Sequence, residues 1–267
     1  MNTRIDNCFK KLMKERKKAF ISYITAGDPD LLSTVEIVKY LEDVGVDIIE
    51  LGLPFSDPLA DGRVNQEASL RALSSGSTFD GVMNCISKIR ESSDIPIVLY
   101  AYLNTLLSRG FDKSINIASS VGIDGLLLLD LPVEESKPYR GFLNNNNVNT
   151  IQLITPTPPN DRIEKISKHA NGFIYCVSRE GVTGVQDKIS DGAGELVKRI
   201  KLKTSLPVAI GFGIGTPEQA AQAAILGDGV VVGSAIVNKF NDESNTAEGR
   251  LKAASFVKRM VEAVKEV

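Results

Sequence analysis

Eight short runs of apolar and β-branched residues recur along this chain, each followed by turn formers and then by a stretch of helical periodicity. The runs cover residues 19–26, 48–54, 95–102, 125–131, 150–155, 172–177, 207–211 and 229–233. They are near-continuous rather than alternating, the pattern of strands buried on both faces in a parallel sheet covered by helices. Between them, residues 31–44 place Leu32, Val35, Ile37, Val38 and Leu41 at helical spacing. Thr216-Pro217-Glu218 supplies an N-cap, a first-turn proline and an early acid, which opens a helix over 216–226. Residues 241–248 are polar and read as a surface loop, and 247–267 as a last amphipathic helix.

Eight strand–helix units point to an α/β chain closed into a (β/α)₈, or TIM, barrel, with residues 1–267 as a single domain. An open doubly wound sheet would usually carry G-x-G-x-x-G at its first strand–helix turn; here that turn reads Thr25-Ala26-Gly27-Asp28-Pro29. Ahead of the first strand, Ile5, Phe9, Leu12 and Met13 fall on one helical face beside a basic run from Lys10 to Lys18. The expectation is an extra N-terminal helix packed on the barrel with a solvated basic face.

Charge and cysteine usage exclude several classes of function. With 31 basic and 33 acidic residues the net charge is −2, so there is no basic excess for nucleic acid. Cys8, Cys85 and Cys176 are far apart and form no C-x-x-C, which argues against a disulfide framework or a zinc site. Cys176 lies in an apolar run and reads as core. There is no apolar segment of signal-peptide or membrane-spanning length, and a reducing cytoplasm is the expected compartment. The single histidine, His169, reads as a helix C-terminal residue. Proton transfer therefore falls to carboxylates, tyrosines or lysines, and no metal site is expected.

Three glycine-rich turns follow the last strands: Gly181-Val182-Thr183-Gly184, Gly211-Phe212-Gly213-Ile214-Gly215 and Gly233-Ser234. Barrels often hold phosphate with the loops after strands seven and eight and a short helix N-terminus, because glycine permits close backbone approach and free N–H groups attract an anion. Residues 234–237 are the expected short phosphate-binding helix after strand eight.

Glu50 sits inside the apolar run Val46-Asp47-Ile48-Ile49-Glu50-Leu51-Gly52. A carboxylate there is costly unless paired or facing a cavity, and partial desolvation raises its pKa toward neutrality. Two readings are open, a structural ion pair inside the barrel or a proton carrier. The following loop, Pro54-Phe55-Ser56-Asp57-Pro58-Leu59-Ala60-Asp61-Gly62, lies where barrel enzymes place their active-site loops. Asp57 and Asp61 are ligand contacts, helix caps or turn formers; Asp130, before Leu131-Pro132, is a site residue or a cap. Tyr23, Tyr100, Tyr102, Tyr175 and Phe212, spread over several strand ends, can enclose a flat apolar ligand.

Residues 50–62 closely resemble the signature of tryptophan synthase α subunits. So do Thr25 to Pro29, the block Asp130-Leu131-Pro132-Val133-Glu134-Glu135-Ser136, Ser178 to Gly184, Gly211 to Ile214, and Gly233-Ser234-Ala235-Ile236-Val237, in the same order along essentially the whole chain. The resemblance implies a lyase that splits indole-3-glycerol phosphate into indole and glyceraldehyde 3-phosphate. It needs no cofactor of its own and passes indole to a β subunit that uses pyridoxal phosphate, in an α₂β₂ heterotetramer of tryptophan biosynthesis. It implies Glu50 as general acid and base, Asp61 as acceptor of the indole N–H, and Tyr175 beside Glu50. Gly184, Gly213, Gly233 and Ser234 would then hold the phosphate, Asp57 and its loop would face the β subunit, and the segment after Ser178, with Thr183, would close over the site. Two departures stand out. Arg63-Val64-Asn65-Gln66 replaces the family's Pro-Thr-Ile-Gln, and Tyr23 stands where phenylalanine is common. Arg63 leaves room for a weakly catalytic barrel that mainly activates the β partner; the glycine turns by themselves would also suit another sugar-phosphate barrel enzyme.

Overall fold

The computed structural model describes residues 3–177, 191–211, 213–243 and 245–267. Its centre is a closed parallel barrel in sequential order: β1 (Ala19–Thr25), β2 (Ile48–Gly52), β3 (Ile97–Ala101), β4 (Gly125–Leu128), β5 (Asn149–Ile154), β6 (Ile174–Val177), β7 (Val208–Gly211) and β8 (Gly229–Val232). Around it run α1 (Arg4–Lys14), α2 (Leu31–Asp43), α3 (Arg63–Ser74), α4 (Phe79–Arg90), α5 (Leu103–Leu107) and α6 (Phe111–Ser120). They are followed by α7 (Lys137–Asn145), α8 (Asn160–His169), α9 (Asp191–Lys201), α10 (Pro217–Leu226), α11 (Ser234–Asp242) and α12 (Ala247–Lys265). All eight strands lie where the apolar runs placed them. Most end earlier than the runs do, because the apolar residues continue into the bends that leave the sheet at the rim.

Side-chain alternation along each strand builds two cores. In β2, Ile49 and Leu51 face the helices, whereas Ile48 joins Ile21, Val98, Leu127, Ile151, Phe173, Ala209 and Val231 inside the barrel. That parity turns Glu50 inward. The inner core is closed at one end by α1, whose Ile5, Phe9 and Leu12 belong to it, with Phe9 packed on Phe173 at 5.7 Å between ring centroids. Thr3 and Asp6 form a reciprocal capping box that starts α1 where it meets the barrel. Gly125 makes room for the plug, since a Cβ there would stand 2.9 Å from Ile5 Cδ1. With the N-terminal end plugged, the C-terminal end is the mouth.

Three local expectations differ. Met13 is 74% exposed, because α1 turns only Ile5, Phe9 and Leu12 into the plug. The expected loop at 241–248 is short: α11 continues to Asp242, and α12 begins at Ala247 under the Thr246 cap. The helix after β8 is thus nine residues rather than four. Thr216 does cap α10, accepting from the Gln219 N–H, and His169 is the last residue of α8.

Phe9→Ala should destabilise the fold by about 3 kcal/mol in urea unfolding, whereas Met13→Ala should change it by less than about 0.5 kcal/mol. Equal effects would mean that α1 does not plug the barrel.

Candidate active site

Tyr23 and Glu50 are register partners on β1 and β2, and Gly52 and Tyr100 on β2 and β3. These rows lie above the apolar layers, toward the mouth. Tyr175 projects from β6 between Leu153 and Ala209. Two glycines make the tyrosines' positions possible. A Cβ at Gly52 would lie 2.6 Å from the Tyr23 hydroxyl, and one at Gly211 would lie 2.3 Å from the Tyr175 hydroxyl. Each ring therefore lies across the space that a neighbouring side chain would fill.

Glu50 is 1% exposed, and its Oε1 finds no hydrogen-bond partner among the described residues. Burial pushes its carboxyl pKa up to about 8. Of the two readings of Glu50, the ion pair is excluded among the described residues: no cation lies against it. The group is neutral at physiological pH and close to ionising, the condition for giving and taking back a proton. The Tyr23 and Tyr175 hydroxyls are held protonated by burial, and the nearby Asp61 charge adds to the effect.

Asp61 arrives from the other side, on the loop between β2 and α3. It is 6% exposed, and both its oxygens are engaged: the Tyr100 hydroxyl donates to Oδ1 at 2.6 Å, and the Tyr102 hydroxyl to Oδ2 at 2.8 Å. Burial raises its pKa, and these phenolic donors act in the opposite direction. The Ala60 N–H donates to the Tyr102 oxygen at 3.0 Å, tying the loop backbone to the same ring. Tyr23 and Tyr100 meet edge to face at 4.8 Å. The loop is braced from α3 as well, where Gln66 donates to the Asp61 carbonyl at 2.9 Å.

Gly213, at φ 73°, follows β7 in the left-handed region that favours glycine. Gly233 follows the adjacent β8 as the N-cap of α11, with no side chain to satisfy the helix's first N–H groups. Ser234, the first residue of α11, is exposed, and its hydroxyl donates to Asn65 Oδ1 at 3.5 Å. Two of the three glycine turns thus share one rim with the tyrosines. Gly184, Thr183 and Phe212, with the segment after Ser178, lie outside the described residues.

Several roles left open are fixed by geometry. Asp57 is exposed at the loop tip, taking a hydrogen bond from Ser56 Oγ at 2.5 Å, and does not turn into the barrel. Asp130 is a cap: it accepts from the Leu103 N–H at 2.7 Å, at the start of α5. Arg63 points away from Asp61 and pairs with Glu67 at 2.7 Å on the outside of α3. Sequence reading missed the contact role of Asn65, whose Nδ2 lies 3.5 Å from Asp61 Oδ1. Its spacing of four residues from Asp61 at a helix start was the available signal. The Asp28–Arg71 pair, bidentate at 2.8 and 2.7 Å, fastens the β1–α2 loop to α3 and had no local signal. The described residues contain no group of three or more His, Cys, Asp or Glu placed to hold a metal, and no helix long and apolar enough to cross a membrane.

Barrel and site together define a (β/α)₈ barrel that carries two buried carboxylates, Glu50 and Asp61, at its C-terminal mouth. Comparison with known proteins makes the class specific. The family model described as tryptophan synthase alpha chain matches residues 9–265. A tryptophan synthase alpha chain of Opitutus terrae is 45% identical over 246 residues, 92% of each chain. One of Caldanaerobacter subterraneus is 44% identical over 254 residues, 95% of this chain and 97% of the relative. A crystal structure of the Legionella pneumophila tryptophan synthase alpha chain superposes with a TM-score of 0.89 at 34% identity, covering 99% of this chain and 98% of that one. The chain belongs to the tryptophan synthase alpha chain family.

Burial of Glu50 also has a signature in stability. Its pKa rises from 4.5 to about 8 on folding, so between those values the unfolded chain ionises a group that the folded chain keeps protonated. The stability associated with that proton is complete below pH about 4.5 and is lost as the pH rises through about 8. Wild type should therefore lose stability relative to Glu50→Gln between about pH 5 and about pH 8 in urea unfolding. A constant difference across that range would show that Glu50 is not held protonated.

Proposed function

We propose that Glu50 and Asp61 are the working carboxylates for the retro-aldol cleavage of indole-3-glycerol phosphate to indole and glyceraldehyde 3-phosphate, the lyase reaction of this family. The observation that supports it most directly is the contrast between them. Glu50 is buried without a hydrogen-bond partner among the described residues and protonated near neutrality, while Asp61 is held by two phenolic donors that favour its charged form. Burial raises both, but the phenolic donors offset the rise at Asp61 and nothing described offsets it at Glu50, and such a difference in environment separates the roles of two acids.

The steps follow from that contrast. The indole ring lies among Tyr23, Tyr100, Tyr102 and Tyr175, with the phosphate toward Gly213, Gly233 and Ser234. Glu50 delivers its proton to indole C3, and the ring nitrogen takes up the positive charge. Asp61 accepts the ring N–H and stabilises that charge. Ionised Glu50 then removes the proton from the adjacent glycerol hydroxyl. The bond from C3 to the glycerol carbon breaks, its electron pair restores the indole, and the hydroxyl carbon becomes the aldehyde. Glu50 ends protonated, as it began. The ring itself is the electron sink, so the reaction calls on no cofactor bound to this chain.

The exposed loop tip carrying Asp57, with Leu59 87% exposed, suits contact with a β subunit that takes up the indole and uses pyridoxal phosphate to join it to serine. Thr183, Gly184 and Phe212 keep the roles that the resemblance gives them, as closing segment, phosphate holder and ring contact.

Glu50→Gln should nearly abolish indole release, while a phosphate-bearing substrate analogue still binds in calorimetry. Asp61→Asn should lower kcat by about 10²–10⁴-fold. Near-normal turnover in Glu50→Gln would refute the proton shuttle. With a β subunit present, wild type should convert indole-3-glycerol phosphate and serine to tryptophan.

A further inference from the structure

We propose that Tyr100 is a positioning residue for catalysis, and that its hydroxyl, jointly with that of Tyr102, stands in for a cation beside Asp61. The inference deepens the assignment of Asp61 above and rests on it.

Asp61 is a buried carboxylate that forms no salt bridge among the described residues. Arg63, the nearest cation in sequence, is turned outward to Glu67. The titratable groups that interact with Asp61 from the packed elements are Tyr23 on β1, Tyr100 on β3, Tyr102 at the start of α5, and Tyr175 on β6. All four are phenols held protonated by burial. Nothing in this set supplies positive charge. Two of the phenols are aimed at the carboxylate, one on each oxygen, at 2.6 and 2.8 Å. Hydrogen bonds to an ionised acceptor are short and roughly twice as strong as neutral ones.

The two donors are not equivalent. Tyr102 also accepts from the Ala60 N–H, so it holds the loop backbone as well as the side chain. Among the described residues the Tyr100 hydroxyl bonds to Asp61 Oδ1 alone, and its ring is fixed independently by the edge contact with Tyr23. Asn65 approaches the same oxygen, but at 3.5 Å. Tyr100 therefore sets the orientation of the carboxylate and leaves the Oδ2 side, whose one donor among the described residues is Tyr102, to meet the ring N–H of the substrate. A phenol suits this task better than a lysine or arginine would. A full positive charge at this point would repel the cationic indolenine that Asp61 must stabilise; a neutral dipole keeps the carboxylate ionised without that repulsion.

The test is Tyr100→Phe, which keeps the ring and its packing and removes one donor. Losing a hydrogen bond to the charged form raises the pKa of the group that accepted it. The acid limb of the kcat/KM profile for indole release should move to higher pH by about half a pH unit or more, with kcat down about tenfold at neutral pH and the melting temperature nearly unchanged. In an Asp61→Asn background the same substitution should cause no further loss. An unmoved acid limb, or a loss fully explained by a lowered melting temperature, would overturn the positioning role. If Asp61→Asn itself keeps wild-type turnover, the assignment of Asp61 falls, and the inference falls with it. If Asp61→Asn is crippled while Tyr100→Phe is normal in rate and pH profile, only the inference about Tyr100 is lost.

Discussion

A carboxyl group buried inside a closed apolar barrel, with no hydrogen-bond partner among the described residues, is the constraint around which the rest is arranged. Burying Glu50 disfavours its ionised form, and the fold tolerates it because the group stays protonated. That state requires water to be kept from the floor of the barrel. The N-terminal helix does this with Ile5, Phe9 and Leu12, which complete the inner core from below. The plug and the acid are thus two parts of one arrangement: without a dry floor the raised pKa would relax toward that of an exposed carboxyl.

The second carboxylate, eleven positions further along the chain, is held in a different way. Glu50 stands on a strand, where backbone geometry fixes its direction and its neighbours are apolar or phenolic. Asp61 stands on a loop, where its direction has to be set by side chains from other elements, and Tyr100 and Tyr102 set it. The strand residue is shifted by desolvation almost purely; the loop residue is shifted by desolvation against hydrogen bonding. Supporting contacts such as the Asp28–Arg71 pair and the Gln66 bond to the loop carbonyl keep the rim in register with the barrel. A site built on a loop gains precision only if its support is built with it.

Sequence pattern was a good guide wherever the signal was local. The eight strands, the plug helix, the Thr216 cap and the inward position of Glu50 all follow from periodicity or capping chemistry within a few residues. It was a poor guide where the outcome depended on the far side of the molecule. Met13 fits the same helical stripe as Phe9, yet the helix turns only Ile5, Phe9 and Leu12 into the barrel and leaves Met13 exposed. Arg63 adjoins Asp61 in the chain but is turned away from it by the start of α3, while Asn65, four residues on, is turned toward it.

The order of strands and helices, and with it the barrel, was determined by the sequence itself, because burial on both faces makes a parallel strand a near-continuous apolar run. The presence of acids on the second strand and on the loop after it was legible in the same way. Their protonation was not. Only the tertiary structure decided that Glu50 would lack a partner among the described residues and that two phenols would reach Asp61, since those phenols come from residues 39 and 41 positions away along the chain. A carboxyl group's charge depends on what surrounds it in space, and one chain written as a line does not contain that information in readable form.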